Sequence, residues 1–136
     1  MTMKRSAEEI LNGVKTIAMV GASANPERPS YQVMAFMQKA GYRVIPVNPG
    51  LAGRELLGEA AFASLADITE QVDMVDVFRP AEACPAIAED AVSISASCLW
   101  LQEGIISDQA ASIAEAAGLD VVMDLCPKKV IEGYAA

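Results

Sequence analysis

The strongest constraint on this chain is a series of apolar runs too short for helices, separated by stretches of helical length. Four of them are Ile17-Ala-Met-Val20, Val44-Ile-Pro-Val47, Met74-Val-Asp-Val-Phe78 and Val121-Val-Met123; Leu99-Trp-Leu101 is a shorter fifth. Most lack strict alternation, which is how strands buried on both faces read. Between them the period changes. Residues 31–40 place Val33, Met34, Met37 and Ala40 on one face, with Gly41 to stop the helix. Residues 81–95 form an alanine-rich segment with Ile87, Ala91 and Ile94 as its inner stripe. Ser107-Asp108 caps a helix carrying Ala110, Ile113, Ala114 and Ala117, ended by Gly118. The run Ser6-Ala-Glu-Glu9 has capping-box spacing and predicts a short leading helix that ends at Gly13.

Strands alternating with helices at this interval imply βαβ units and a parallel sheet. The expected fold is therefore α/β: a Rossmann-like, doubly wound, parallel five-stranded sheet in the order 3-2-1-4-5. One domain is expected over residues 1–136, with 1–14 as a leading helix and 127–136 as a C-terminal tail. Residues 50–68 are expected to hold a loop and one helical turn near 64–68.

Composition narrows the function. Hydrophobic residues are 53% of the chain but aromatics only 5%, so the core is aliphatic and rich in alanine. A net charge of −8 argues against nucleic acid, because phosphate backbones reward clustered Lys and Arg. The first residues lack the apolar run of a signal peptide, and no segment reaches the roughly 20 apolar residues that cross a bilayer. Cys84, Cys98 and Cys126 are odd in number and fit no disulfide or zinc framework, which points to a reducing cytoplasm. Histidine is absent, and with it the usual neutral-pH acid/base, the commonest metal ligand and any Ser-His-Asp or Cys-His arrangement.

In an open α/β sheet, ligands gather beyond the carboxyl ends of the strands. Those positions are Gly21-Ala22-Ser23, Asn48-Pro49 at the end of the strand closed by Val47, Phe78-Arg79-Pro80, Gln102-Glu103-Gly104 and Asp124-Leu125-Cys126. The first turn departs from the dinucleotide pattern G-x-G-x-x-G, with Ser23 and Pro26 at the second and third glycine positions. Pro29 suits the first position of the helix that follows, whose N-terminus can hold an anion, supplemented by Ser23, Arg28 and Ser30. Asn48 stands where an NAD site carries an acid for the ribose, which disfavours NAD; turn formation before Pro49 is its alternative role. Arg28, Arg54 and Arg79 all fall in loops at the ligand edge of a chain with 10 basic residues, and arginine suits bidentate phosphate contacts. Asp73 and Asp76, read as sharing a strand face, lack a nucleophile or metal partner and fit structural hydrogen bonding better than acid/base work. Trp100 reads as core. Cys126 reads chiefly as a small apolar residue, with a reactive role as the alternative.

Taken together, residues 20–31, 41–49, 72–80, 99–102 and 121–126 closely resemble the small stand-alone CoA-binding domain proteins of bacteria and archaea. That family is similar to the N-terminal CoA-binding domain of the succinyl-CoA synthetase α subunit. The resemblance implies a Rossmann-like domain that holds coenzyme A at the strand ends. Gly21-Ala22-Ser23 would face the pyrophosphate, and Val47-Asn48-Pro49 with Arg54 the adenosine. Phe78-Arg79-Pro80, Leu101, Gln102 and Gly104 would lead toward the pantetheine arm, with Cys126 near its end. The synthetase carries its phosphohistidine in a second domain, and this chain has no histidine, so ligase activity is not expected. Two positions depart from the pattern: Glu103, where an apolar residue is more usual, and Leu125, where a basic one is common.

The reading that follows is a protein binding coenzyme A or an acyl-CoA without catalytic residues, as a carrier, sensor or partner subunit. A homodimer or a protein partner is compatible with the composition; nucleic acid and membrane are not expected partners. The alternatives are an NAD(P)-dependent or other nucleotide-cofactor enzyme, with Tyr31 or Tyr42 as proton donor, and an interaction module with a vestigial pocket.

Overall fold

The computed structural model describes residues 5–133. A capping box starts the first helix as the sequence predicts: Glu9 N–H donates to Ser6 Oγ while Ser6 N–H donates to Glu9 Oε1. In chain order the elements are α1 (Ala7–Gly13), β1 (Thr16–Val20), α2 (Pro29–Lys39), β2 (Arg43–Val47), β3 (Glu55–Leu56), β4 (Glu59–Ala60), β5 (Met74–Val77), α3 (Cys84–Ser93), β6 (Cys98–Leu101), α4 (Asp108–Ala116), β7 (Asp120–Val122) and α5 (Pro127–Glu132). Single 3-10 turns lie at Pro49–Leu51, Leu65–Asp67 and Ala81–Ala83. No helix among the described residues is long and apolar enough to cross a membrane.

The five long strands form one parallel sheet in the order β2-β1-β5-β6-β7. Counting those strands alone, the order is 2-1-3-4-5, not the expected 3-2-1-4-5. Pro46 supplies the physical reason. It has no N–H to give, so its strand belongs at an edge rather than between two neighbours. Its carbonyl accepts from Phe62 N–H on the outer side at 3.0 Å, so the missing donor faces outward and costs β1 no ladder bond. Phe62 in turn covers this edge, accepting from Asn48 N–H at 2.9 Å.

Two apolar layers sandwich the sheet. On one side α1, α2 and α5 pack on Ile17, Met19, Val44, Met74 and Trp100. On the other, α3 and α4 pack on Ala18, Ile45, Val75, Val77, Leu99 and Leu101. Trp100 is fully buried as expected, and its Nε1 donates to Leu125 O at 2.7 Å, which anchors the start of α5. The inner stripe of α3 is Cys84, Ala88 and Ala91, with Ile87 and Ile94 only partly buried. The stripe of α4 is Ala110, Ala111 and Ala114, while Ala117 is exposed. Alanines facing one another let these helices lie close together, and the bulkier isoleucines are pushed to the flanks. Residues 127–132, expected as tail, are helical instead. Pro127 occupies the first turn and Gly133 closes the helix at φ +73°.

Candidate functional site

The chain leaves β1 for β2 on one side of the sheet and then crosses back to β5 on the other. The switch point therefore lies between the carboxyl ends of β1 and β5, where an open α/β sheet forms its ligand crevice. Gly21 sits there at φ +90°, and a Cβ on it would lie 2.5 Å from Phe78 O and 3.2 Å from Arg79 Cδ. Only glycine lets these two loops touch and lets the Arg79 side chain pass over the turn.

Two clefts open on either side of this contact, and Arg79 lines both. The first, about 440 Å³, lies on the α2 side and is walled by Pro29, Val33, Phe78, Arg79, Pro80, Gln102, Glu103, Ile105 and Cys126. The second, about 540 Å³, lies on the α3 side. Val20, Gly21, Val47, Asn48 and Pro49 meet Ala63, Ser64, Leu65, Ala83, Ala86, Ile87 and Asp90 around it.

Nine of the expected site residues thus converge: Gly21, Val47, Asn48, Pro49, Phe78, Arg79, Pro80, Gln102 and Cys126. The other seven stand apart from the cleft walls. Leu101 is fully buried in the α3–α4 layer, because a strand residue next to Gln102 must point to the opposite face. Arg54 is exposed beyond the Pro49–Leu51 turn, where its carbonyl accepts from Ala61 N–H to start the β3–β4 hairpin. Gly104 donates its N–H to Asp124 Oδ1 at 2.7 Å, tying the β6 and β7 loops together. Ala22 and Ser30 are buried; Ser23 Oγ accepts from Asn25 N–H within the loop; Arg28 is exposed at the N-cap of α2.

The turn after β1 differs from a phosphate cradle in one respect. Gly21 and Ala22 N–H both point at Val47 O, at 3.0 and 3.4 Å, so these two donors are already engaged. Arg28 gives α2 no side-chain cap, which leaves the first-turn N–H groups of α2 as the anion-seeking donors beside the first cleft. Asn48 performs the turn role: Oδ1 accepts from Gly50 N–H at 2.9 Å and Nδ2 donates to Ala22 O at 2.8 Å, clamping the first two strand-end loops together. Glu103 does not leave its charge bare at the cleft, because Lys129 Nζ lies 2.7 Å from it.

Asp73 and Asp76, being three positions apart, do not share a face. Asp73 is structural as expected: Oδ2 accepts from the N–H groups of Lys15 and Thr16 at 3.0 and 2.9 Å. Asp76 is 1% exposed, with Oδ1 accepting from Gln102 Nε2 at 2.6 Å and Oδ2 without a hydrogen-bond partner in the protein. Burial pushes its carboxyl up to about 7, against the smaller opposing pull of the Gln102 bond. Burial likewise raises Cys98 and Cys84, the latter with help from Glu82, which marks both thiols as packing groups rather than nucleophiles.

The walls that sequence reasoning missed come from elements that pass across the cleft. Ile105, Ala63 to Leu65 and the first turn of α3 are not at strand ends, so no strand-end rule finds them. Pro29 and Val33 read as helix residues in the sequence, and no local signal places them on a ligand wall.

Comparison with known proteins follows the same lines. A profile of the CoA binding domain matches residues 15–132. The chain is 42% identical over 125 residues to the uncharacterized protein YneT of Bacillus subtilis, covering 92% of this chain and 91% of that one. It is 31% identical over 86 residues to the α subunit of ADP-forming acetate–CoA ligase I of Pyrococcus furiosus, a match spanning 60% of this chain and 19% of that subunit. The solved structure of cell-free ID.343 from Thermus thermophilus superimposes with a TM-score of 0.90 at 38% identity, covering 95% of this chain and 98% of that one. By profile, sequence and fold, this chain belongs to the CoA-binding domain family.

Proposed function

We propose that this protein binds coenzyme A or an acyl-CoA across the carboxyl ends of β1, β2, β5 and β6, and acts as a carrier, sensor or partner subunit without catalysis of its own. The observation that carries this reading is the pair of unlike clefts that meet at Arg79. The second, with Asn48, Ser64 and Asp90 among its walls, offers the hydrogen-bonding groups a nucleoside needs. The first, walled by Pro29, Val33, Phe78, Pro80 and Ile105, suits a long, mostly apolar arm with a few amides. A pyrophosphate joining the two would lie against Arg79 and the uncapped start of α2. Similarity to a ligase α subunit favours the partner-subunit form of the reading over a free carrier.

Calorimetric titration tests the placement. Arg79→Ala is expected to weaken coenzyme A roughly 10- to 100-fold, the worth of a hydrogen bond to a charged group. Arg28→Ala, at an exposed site, is expected to cost about 2- to 5-fold. Unchanged affinity in the Arg79 variant would place the ligand elsewhere.

A further inference from the structure

We infer that Asp76 is a positioning residue for ligand recognition, fixing the amide of Gln102 so that its carbonyl oxygen faces the first cleft and accepts an N–H from a bound amide. The inference rests on the coenzyme A reading above and names the group that recognises the pantetheine arm. By strand register Asp76 lies between Met19 of β1 and Trp100 of β6, both fully buried. A carboxyl in such surroundings is costly unless it is neutral or hydrogen-bonded. Its one side-chain partner is Gln102, itself 4% exposed and the only amide side chain on the wall of the first cleft.

The chemistry gives the orientation. At Oδ1, Asp76 is an acceptor both as the anion and as the acid protonated at Oδ2, so it takes the NH2 end of Gln102 in either state. With Nε2 held inward, Oε1 is the end left for the cleft. No other side chain on this wall offers an uncharged amide acceptor: the Arg79 guanidinium only donates, and the Glu103 carboxylate is paired with Lys129. Pantetheine amides carry N–H groups that match Oε1 in this setting, whereas a ligand presenting only carbonyls there would leave the glutamine oxygen unpaired.

The test compares coenzyme A with ADP, which lacks the arm, on wild type, Asp76→Val and Asp76→Asn. Asp76→Val removes the acceptor while keeping a strand-forming side chain; Asp76→Asn keeps an acceptor at Oδ1. The expected result is a loss of about tenfold in coenzyme A affinity for Asp76→Val, unchanged ADP affinity, and near wild-type values for Asp76→Asn. ADP binding also reports that the valine variant is folded. Equal losses for both ligands, no loss for either, or an asparagine variant as weak as the valine one would overturn the positioning role alone. A wild type that binds neither ligand would overturn it together with the coenzyme A reading.

Discussion

Gly21→Ala is expected to destabilise the protein by roughly 2–5 kcal/mol and to abolish measurable coenzyme A binding in the same variant. Two costs add. The residue sits at φ +90°, where a side chain is strained, and its new Cβ would lie 2.5 Å from the Phe78 carbonyl oxygen. Neither atom is the end of a flexible side chain, so the β1 and β5 loops must part. Parting them moves Arg79, whose Cδ passes 3.2 Å from the same point, out of the junction of the two clefts. Urea unfolding and calorimetry check the two effects separately. A variant of wild-type stability would mean that the loops at the switch point are not in contact as described.

The second large effect concerns pH. The folded-state value of Asp76, about 7, lies above the ordinary 3.8 of an unfolded aspartate. Between those two values the native state holds a proton that the unfolded chain has released. The stability contributed by neutral Asp76 is therefore fully present below about pH 4 and lost as pH rises to about 7. The loss amounts to on the order of 4 kcal/mol. Asp76→Asn, which cannot ionise, is expected to lack this decline and to be more stable than wild type at pH 8.5 by about 3 kcal/mol. Denaturation curves at pH 5 and 8.5 for both proteins decide it. Parallel pH profiles would mean that Asp76 is ionised in the native state with a stabilising partner.

How the sequence encoded this fold is clearest where it misled. The five strands, the capping box of α1 and the stops at Gly41 and Gly118 are local signals, and each is realised. Strand order is not local, yet one residue bore on it: Pro46 forbids a central position, and weighing it would have moved β2 to the edge. Ala91, Ala110 and Ala114 line the inner stripes of α3 and α4 as expected, but hydrophobicity also favoured Ile87, Ile94 and Ile113, whereas close helix packing places Ala88 and Ala111 there instead. The β3–β4 hairpin turns through Leu57 and Gly58, both at positive φ, and leucine carries none of the usual turn chemistry.

The candidate site divides in the same way. Strand-end turns were legible because the sheet itself aims them at the crevice, which is why Gly21, Asn48, Arg79 and Gln102 converge. The reach of Arg54 and the direction of Leu101 depend on loop path and strand face. Asp76 reads as a structural acid and does accept a hydrogen bond, but its partner Gln102 lies 26 residues away, a contact that no spacing displays.

Native mass spectrometry with equal amounts of coenzyme A and NAD tests the central claim most directly. The account predicts a mass increment of one coenzyme A per chain and none for NAD. A protein that stays bare with coenzyme A, or that takes NAD in preference, would contradict it.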